Sequence, residues 1–316
     1  MTTRAWRILG LVSLAASVLV GQQGGVRGAV AGYVFDRSAR ALRSILGIPG
    51  AWLVGDPLAF GIDLASAYVS PRQDLALVVG ADGALRWFRL KSGAVSGLTP
   101  NGITLVPERV AFSPSGTAAA LAAAGRVQVV TGLPDAPAPA GTVDAGRAPG
   151  SFAISDDGAL LLFAGRGSIR LVGTAGENRK LMDAGDGALV AFAPGGHDAA
   201  VADPAGAGVV LFRDIAGAAT QSVLAPPGDS IAAPVGLAFS SDGRKLYVAS
   251  SAARSVTVLD LTTGSRSAIP CDCAPAGLFP MGNLFRLTEP GAGPMWLLDA
   301  SGGDPKMVFV PAAAVQ

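Results

Sequence analysis

Residues 234–269 have the sequence PVGLAFSSDGRKLYVASSAARSVTVLDLTTGSRSAI, and this stretch decides the fold. Short apolar runs alternate with turn residues along it, and the first turn contains Asp242-Gly243, a pair typical of tight β-hairpins. Residues 262–264, Thr-Thr-Gly, form a later turn before the last run. The stretch therefore predicts short antiparallel strands, four in all, joined by tight turns.

The first half of this stretch recurs along the chain. The residues that precede each recurring turn are Ser70, Ser113, Ser155, Ala193, Ser240 and Pro280, which lie 43, 42, 38, 47 and 40 positions apart. A repeat of about 42 residues with four short strands in each unit is typical of a β-propeller blade. One such sheet cannot cover both of its faces, whereas neighbours in a closed ring cover them for each other. We therefore predict an all-β fold, a β-propeller of four-stranded antiparallel blades.

The same stretch resembles the repeat of the YVTN-type bacterial β-propellers. The matching positions are Pro234, Ser240, Asp242, Gly243, Leu246, Tyr247, Val248, Val256, Val258, Asp260, Thr263 and Gly264. The resemblance covers most of residues 65–311 and implies seven blades, although six units are countable. It is specific for the fold and says little about function, because such propellers host many activities.

The N-terminal part of the chain fits the repeat less well. Val30–Asp36 (VAGYVFD) and residues 40–47 (RALRSILG) look like the outer two strands of a blade. We expect residues 24–62 to complete a seventh blade or to clasp the ring shut, and residues 63–316 to hold the propeller repeats. No linker marks a second domain.

The first 23 residues predict a signal peptide. Arg4 and Arg7 precede an apolar run at residues 8–20, and small and polar residues follow it. The run is shorter than the roughly 20 residues that a membrane span needs. We expect export to the periplasm or the extracellular space, and a monomer with no membrane span once the signal is removed.

The charge of the chain is close to balanced. Its formal charge is +1, and without Arg4 and Arg7 the remaining 22 basic residues face 23 acidic ones. Such a chain has no electrostatic attraction to nucleic acid or to an anionic membrane surface. We predict neither as a partner.

Residues that could carry catalysis or bind a metal ion are scarce. His197 is the single histidine and falls in a turn, where a surface position explains it. A Ser-His-Asp triad or a histidine-based metal site would have to use this residue. We predict no catalytic residue, no metal and no cofactor, and we favour a protein that is not an enzyme.

Two cysteines form the sequence Cys-Asp-Cys. An extended segment would place the side chains of Cys271 and Cys273 on one side, and export favours their oxidation. A local disulfide is one alternative, two free thiols are a second, and a soft-metal or redox site is a third.

The loops that lead into the innermost strands are expected to form a mouth at the axis. Most of their residues are small and neutral, and Glu108 and Arg109 are the one charged pair, so these two are the candidates for ligand binding, with a structural role as the favoured alternative. The mouth lacks the convergent acids and histidines of a hydrolase.

Our first hypothesis is an exported, non-enzymatic scaffold that binds a protein or a glycan through loops on one face. The alternatives are an enzyme of the lactonase or sugar-acid type, which the resemblance allows, and a metal or redox accessory protein that uses Cys271 and Cys273.

Overall fold

The computed structural model describes residues 28–48, 50–146, 150–228, 231–291 and 293–312. The predicted signal peptide, residues 1–23, lies outside the described residues. The described chain forms seven antiparallel sheets that follow one another along the sequence. The fold is a seven-bladed β-propeller, which confirms the prediction of fold class and of blade number.

Each sheet is one blade, numbered here in chain order. Blade 1 has three strands within the described residues, β1 (Val30–Asp36), β2 (Ala41–Ile48) and β3 (Ala51–Pro57). The other six blades have four strands each. These are β4 (Leu64–Val69), β5 (Leu75–Gly80), β6 (Leu85–Lys91) and β7 (Ala94–Leu98) in blade 2; β8 (Arg109–Phe112), β9 (Ala119–Ala123), β10 (Arg126–Thr131) and β11 (Ala138–Asp144) in blade 3; β12 (Ser151–Ile154), β13 (Leu160–Gly165), β14 (Ser168–Gly173) and β15 (Asn178–Asp183) in blade 4; β16 (Leu189–Phe192), β17 (Ala199–Asp203), β18 (Gly208–Arg213) and β19 (Thr220–Ala225) in blade 5; β20 (Pro234–Phe239), β21 (Lys245–Ser250), β22 (Ser255–Asp260) and β23 (Arg266–Pro270) in blade 6; and β24 (Phe279–Met281), β25 (Leu284–Arg286), β26 (Met295–Asp299) and β27 (Lys306–Val310) in blade 7.

The first strand of each four-stranded blade lies innermost. The first strands β8, β12 and β16 lie against one another, and the remaining strands of each blade follow outward in order. Second strands are covered by both neighbouring blades; β5, for example, is buried throughout. This burial explains why the second strands have nearly continuous apolar sequences rather than alternating ones.

Blade 1 runs differently at the axis. The Arg40 guanidinium, in the turn after β1, donates to the carbonyl of Leu64 at the start of β4 (3.0 Å). The Tyr33 amide, within β1, donates to Oε1 of Gln73 in the turn that follows β4 (2.7 Å). β1 is therefore antiparallel to β4 and has the direction of a second strand, so blade 1 contributes no first strand to the axis within the described residues.

The inner turns of blades 7 and 2 consequently meet directly. The Gly282 amide donates to the Pro71 carbonyl (2.7 Å), although blade 1 lies between these two blades further out. Among the residues that the structure describes, six first strands thus surround the axis of a seven-bladed ring. This arrangement explains why six sequence units are countable, because the repeated phrase marks a first strand and its turn.

One part of the N-terminal prediction was wrong. Val30–Asp36 and the segment after it were expected to be the outer two strands of a blade, but β1 is the innermost strand of blade 1 and β3 is the outermost. A hydrophobic strand, a turn and a second strand form the same local pattern at any place in an antiparallel blade. The pairing of β3 outside β2 decides the position, and the sequence pattern does not contain that information.

The hydrophobic core is divided among the blade interfaces. Each of seven clusters of buried side chains joins two neighbouring blades. Between blades 4 and 5, for example, Leu162 and Ile169 pack with Val201 and Phe212. The core is therefore a ring of interfaces, and every blade depends on two neighbours for its burial.

A candidate binding site at the end of the axis

The inner turns that end the first strands are built around a small polar side chain. In blade 4 the Ser155 hydroxyl accepts a hydrogen bond from the Leu160 amide (3.0 Å) and lies 2.6 Å from Oδ1 of Asp157. Ser70, Ser113 and Ser155 are fully buried. The hydroxyl satisfies backbone groups of the hairpin that would otherwise be buried without partners, so the repeated serine is structural.

A cavity of about 180 Å³ lies on the axis at the end marked by these turns. Its walls are the last residues of the first strands, and its rim is formed by the turns that follow them. The lining comprises Pro71, residues 111–114, 152–154 and 190–192, Pro194, residues 237–241, Pro280, Gly282 and Phe285. It contains no acidic, basic, histidine, cysteine or tyrosine side chain, so the cavity is apolar and uncharged.

Two features of sequence produce this lining. Phenylalanine ends several first strands, as at Phe112, Phe192 and Phe239. Proline begins several of the turns, and it fixes the backbone of the rim without leaving an amide donor unpaired. The result is a cavity with aromatic walls and a proline-containing rim.

The hydroxyl groups in the lining are already engaged. Ser113 and Ser240 accept hydrogen bonds from the amides of their own turns (3.1 and 2.9 Å), and the Ser241 hydroxyl donates to Oδ1 of Asn283 in blade 7 (3.0 Å). A ligand rich in hydroxyl groups would find few free partners here. The cavity suits an apolar group.

Asp156 holds three inner turns together beside the cavity. Its Oδ1 accepts hydrogen bonds from the amide and the hydroxyl of Ser115 in blade 3 (2.8 and 2.6 Å). Its Oδ2 accepts a hydrogen bond from the Gly195 amide in blade 5 (2.8 Å). The carboxylate therefore fixes the rim across blades 3, 4 and 5.

The single histidine belongs to the same ring of turns. Nε2 of His197 in blade 5 lies 2.9 Å from Oδ2 of Asp157 in blade 4. Burial opposes the ionisation of Asp157, but hydrogen bonds from Ser155, the Ala159 amide and His197 outweigh it and hold the pKa of this carboxyl below its ordinary value. The pair joins two turns and does not line the axial cavity.

Glu108 and Arg109, the candidates from sequence, lie outside the axial cavity. Nη2 of Arg109 donates to the Gly150 carbonyl (3.0 Å), and its guanidinium lies 5.1 Å from the centre of the Phe152 ring. The Glu108 carbonyl accepts a hydrogen bond from the Tyr68 hydroxyl (2.8 Å). The cavity beside this pair holds only about 10 Å³. The structure thus gives both residues contacts that join blades, and a ligand role stays a prediction.

Cys271 and Cys273 are bonded to each other in the structure. Their sulfur atoms are 1.99 Å apart and their Cα atoms 5.0 Å apart. Both side chains are buried in the cluster between blades 6 and 7, where they pack near Leu278 and Phe285. The pair therefore lies within a hydrophobic interface, away from the axial cavity.

The part of the chain that the structure describes has neither a cluster of metal-ligating side chains nor a long apolar helix. Within it, no three His, Cys, Asp or Glu side chains lie close enough together to hold a metal ion. No helix of the described residues is long and apolar enough to cross a membrane.

Sequence reasoning missed the axial cavity and the rim that Asp156 holds. The expected mouth lay where loops enter the first strands, whereas the cavity lies where the first strands end. A signal was present: the partners of Asp156 are 41 and 39 residues away, which is close to one repeat in each direction.

Comparisons with known proteins agree on the fold. No family model matches the chain, and no curated protein does. A functionally unknown protein from Desulfotomaculum acetoxidans is similar in structure, with a TM-score of 0.57 and 14% identity over 89% of this chain and 100% of that one. Hydrazine synthase from Kuenenia stuttgartiensis gives a TM-score of 0.54 and 15% identity, over 96% of this chain and 100% of that one. The RRP9 WD40 repeats give 0.54 and 10%, over 81% of this chain and 82% of that one. At these identities the likeness shows the fold alone.

Proposed function

We propose that this chain is an exported, non-enzymatic propeller that binds a partner protein by accepting an apolar side chain in the axial cavity. The observation that carries the proposal is the lining of that cavity, which is aromatic and aliphatic and contains no titratable side chain. Interfaces between proteins are often anchored by one large apolar side chain held in a pocket.

The size of the cavity favours a side chain over a small molecule. Pockets for cofactors and small ligands have volumes of about 300–1,000 Å³. The axial cavity holds about 180 Å³. A single anchoring residue of a partner needs less room, and the surrounding turns would supply the rest of the contact area.

The chemistry of the cavity argues against the rival functions. General acid–base catalysis requires a titratable group within hydrogen-bond reach of the substrate, and the lining offers none. Glycan recognition requires free polar partners, whereas the serine hydroxyls of the lining are engaged. Export is the part of the proposal that depends on sequence, because it rests on residues 1–23.

The test is to fill the cavity. Ala191 lies in β16 and lines the cavity, so Ala191→Phe should occupy it. The matched control is Ala216→Phe, which makes the same change in the same blade at an exposed position. The wild type and both variants are immobilised and used to select from a random peptide library, and circular dichroism checks that each is folded.

The expected result is that the wild type and Ala216→Phe enrich peptides sharing a large apolar residue, and that Ala191→Phe does not. A smaller change, Ala153→Leu, should raise the dissociation constant of the selected peptides at least about tenfold, which corresponds to about 1.4 kcal/mol of binding free energy. If a folded Ala191→Phe variant selects the same peptides as the wild type, the axial cavity is not the binding site.

A further inference from the structure

The inner turns share a backbone conformation that favours glycine, and one turn departs from it. In blades 2, 3, 4 and 6 the third residue after the start of the turn has a positive φ between 62° and 72°. It is glycine in the turns of blades 3, 4 and 6, namely Gly116, Gly158 and Gly243, whereas the turns of blades 5 and 7 have their positive-φ glycine one position earlier, at Gly195 and Gly282. Blade 2 has Gln73 there, with φ 62°. A side chain in the left-handed region is destabilising relative to glycine, so its presence calls for a compensating role.

The Gln73 side chain contacts three blades. Its Oε1 accepts a hydrogen bond from the Tyr33 amide in blade 1 (2.7 Å). Its Nε2 donates to the carbonyl of Ser70 in its own blade (2.9 Å) and to that of Pro280 in blade 7 (3.4 Å). One carboxamide thus joins the first, second and seventh blades at the place where the ring closes.

Near the axis, the Gly282–Pro71 backbone hydrogen bond and the Arg40–Leu64 hydrogen bond accompany the Gln73 contacts at this closure. Within the described residues no sheet combines strands from the two ends of the chain, and blade 1 has three strands. A cavity of about 530 Å³ lies beside Gln73, lined in part by residues 28–33 and Met281. The packing is therefore open at this seam, by which we mean the contact of blades 7, 1 and 2 around Gln73.

The contact with blade 1 is also closely fitted. A Cβ atom added to Gly32 would lie 2.4 Å from Cε of Met281 and 3.1 Å from Oε1 of Gln73. Glycine at this position lets β1 approach both side chains. The side-chain Oε1 of Gln73 thereby accepts the hydrogen bond that the Tyr33 backbone amide donates towards blade 2.

We propose that Gln73 is the clasp that closes the propeller, and that the seam is where the ring opens first when this side chain is removed. A propeller can be closed by one blade that pairs strands from the N-terminal and C-terminal ends of the chain. Here the side-chain hydrogen bonds of Gln73 serve that purpose instead. The proposal does not depend on the axial cavity or on the identity of any partner.

The experiment uses two variants that suit the turn but cannot reach Tyr33. Gln73→Gly places there the residue found in the inner turns of blades 3, 4 and 6, and Gln73→Asn keeps an amide that tolerates a positive φ but is one methylene shorter. The matched control is Gly243→Gln, which places the same side chain in the inner turn of blade 6. Urea unfolding and hydrogen exchange followed by mass spectrometry are measured on the full chain.

If Gln73 is the clasp, both variants unfold at lower urea concentration than the wild type, although the strain of the turn has been relieved. Amides throughout β1, β2 and β24 should exchange about tenfold faster, while those of blade 4, on the far side of the ring, keep their rates. Gly243→Gln should lower the urea midpoint of unfolding because it strains the turn of blade 6, but the amides of β1 should keep their wild-type exchange rates.

Three results would overturn the proposal. The first is a midpoint for Gln73→Gly equal to or above that of the wild type, which would mean that only the turn conformation matters. The second is faster exchange confined to the Tyr33 amide, which would show a local cap and no clasp. The third is an equal rise in exchange in every blade, which would show that the seam is not where the ring opens.

Discussion

Single residues of the inner turns decide how the blades are joined at the axis. The buried serine is predictable from sequence, because Ser-x-Asp-Gly recurs with the hydrophobic phrase, as at Ser155 and Ser240. The contacts between turns are less visible. Asp157 follows the local pattern by bonding Ser155, yet it also contacts His197 of the next blade. No pattern within one unit indicates that second contact.

Asp157 should contribute to stability in a pH-dependent way. Its pKa in the folded protein is below the ordinary value, despite burial, because Ser155, the Ala159 amide and His197 donate hydrogen bonds to it. The folded state therefore favours the ionised carboxylate. This stabilisation is present above the unfolded pKa of about 3.9 and is lost as the pH falls through the lower folded pKa.

We predict that Asp157→Asn lowers the free energy of unfolding at pH 6 by no more than about 1 kcal/mol, since the side chain is half exposed. The difference from the wild type should shrink as the pH falls from 5 to 3. Urea midpoints at pH steps in this range measure it. A constant difference across the range would show that the carboxylate charge plays no part.

Elements larger than a turn show where prediction from sequence succeeded and where it stopped. The second strands and the repeat spacing predicted the blades, because burial on both faces requires continuous apolar runs. Blade 1 was the difficulty, because none of its three described strands carries the phrase that marks a first strand. The candidate site shows the same limit. The alanines and phenylalanines of the first strands were visible, but only the closed ring brings them to one cavity.

The connection from blade 6 to blade 7 carries the disulfide. Packing supports this segment independently of the sulfur–sulfur bond, because Cys271 and Cys273 are buried among apolar side chains of both blades and the Cys271 amide donates to the Arg254 carbonyl (2.8 Å). The bond closes a loop of only three residues. A short loop restricts the unfolded chain less than a long one, so the bond should add less stability than one that closes a long loop.

We predict that reduction of the Cys271–Cys273 disulfide lowers the free energy of unfolding by about 1.6 kcal/mol, the value of the chain-entropy relation for three residues. The measurement is urea unfolding with and without a thiol reductant. The Cys271→Ala, Cys273→Ala double variant is the control and should not respond to the reductant. Complete unfolding on reduction would show that the bond, rather than packing, holds blade 7.

The whole molecule is a ring of seven interfaces, and this arrangement governs how it should unfold. Each cluster of buried side chains belongs to two blades, so no blade has a core of its own. Open repeat arrays can unfold stepwise from their ends. A closed ring has no free end, and losing one blade exposes apolar surface on both of its neighbours.

We therefore predict that a destabilising substitution at one interface shifts the unfolding transition at all the others. Leu162 is fully buried between blades 4 and 5, and Leu162→Ala should lower the free energy of unfolding by about 2–5 kcal/mol. Trp52, Trp87 and Trp296 lie at other interfaces and report on them by fluorescence. Their transition should shift as far as the transition seen by far-ultraviolet circular dichroism, because the ring unfolds as one unit. A tryptophan transition that stays at its wild-type midpoint while the dichroism signal changes in two steps would show that the blades unfold separately. The Gln73→Gly variant is the informative comparison, since a seam that has already opened would give the ring two ends and permit such steps.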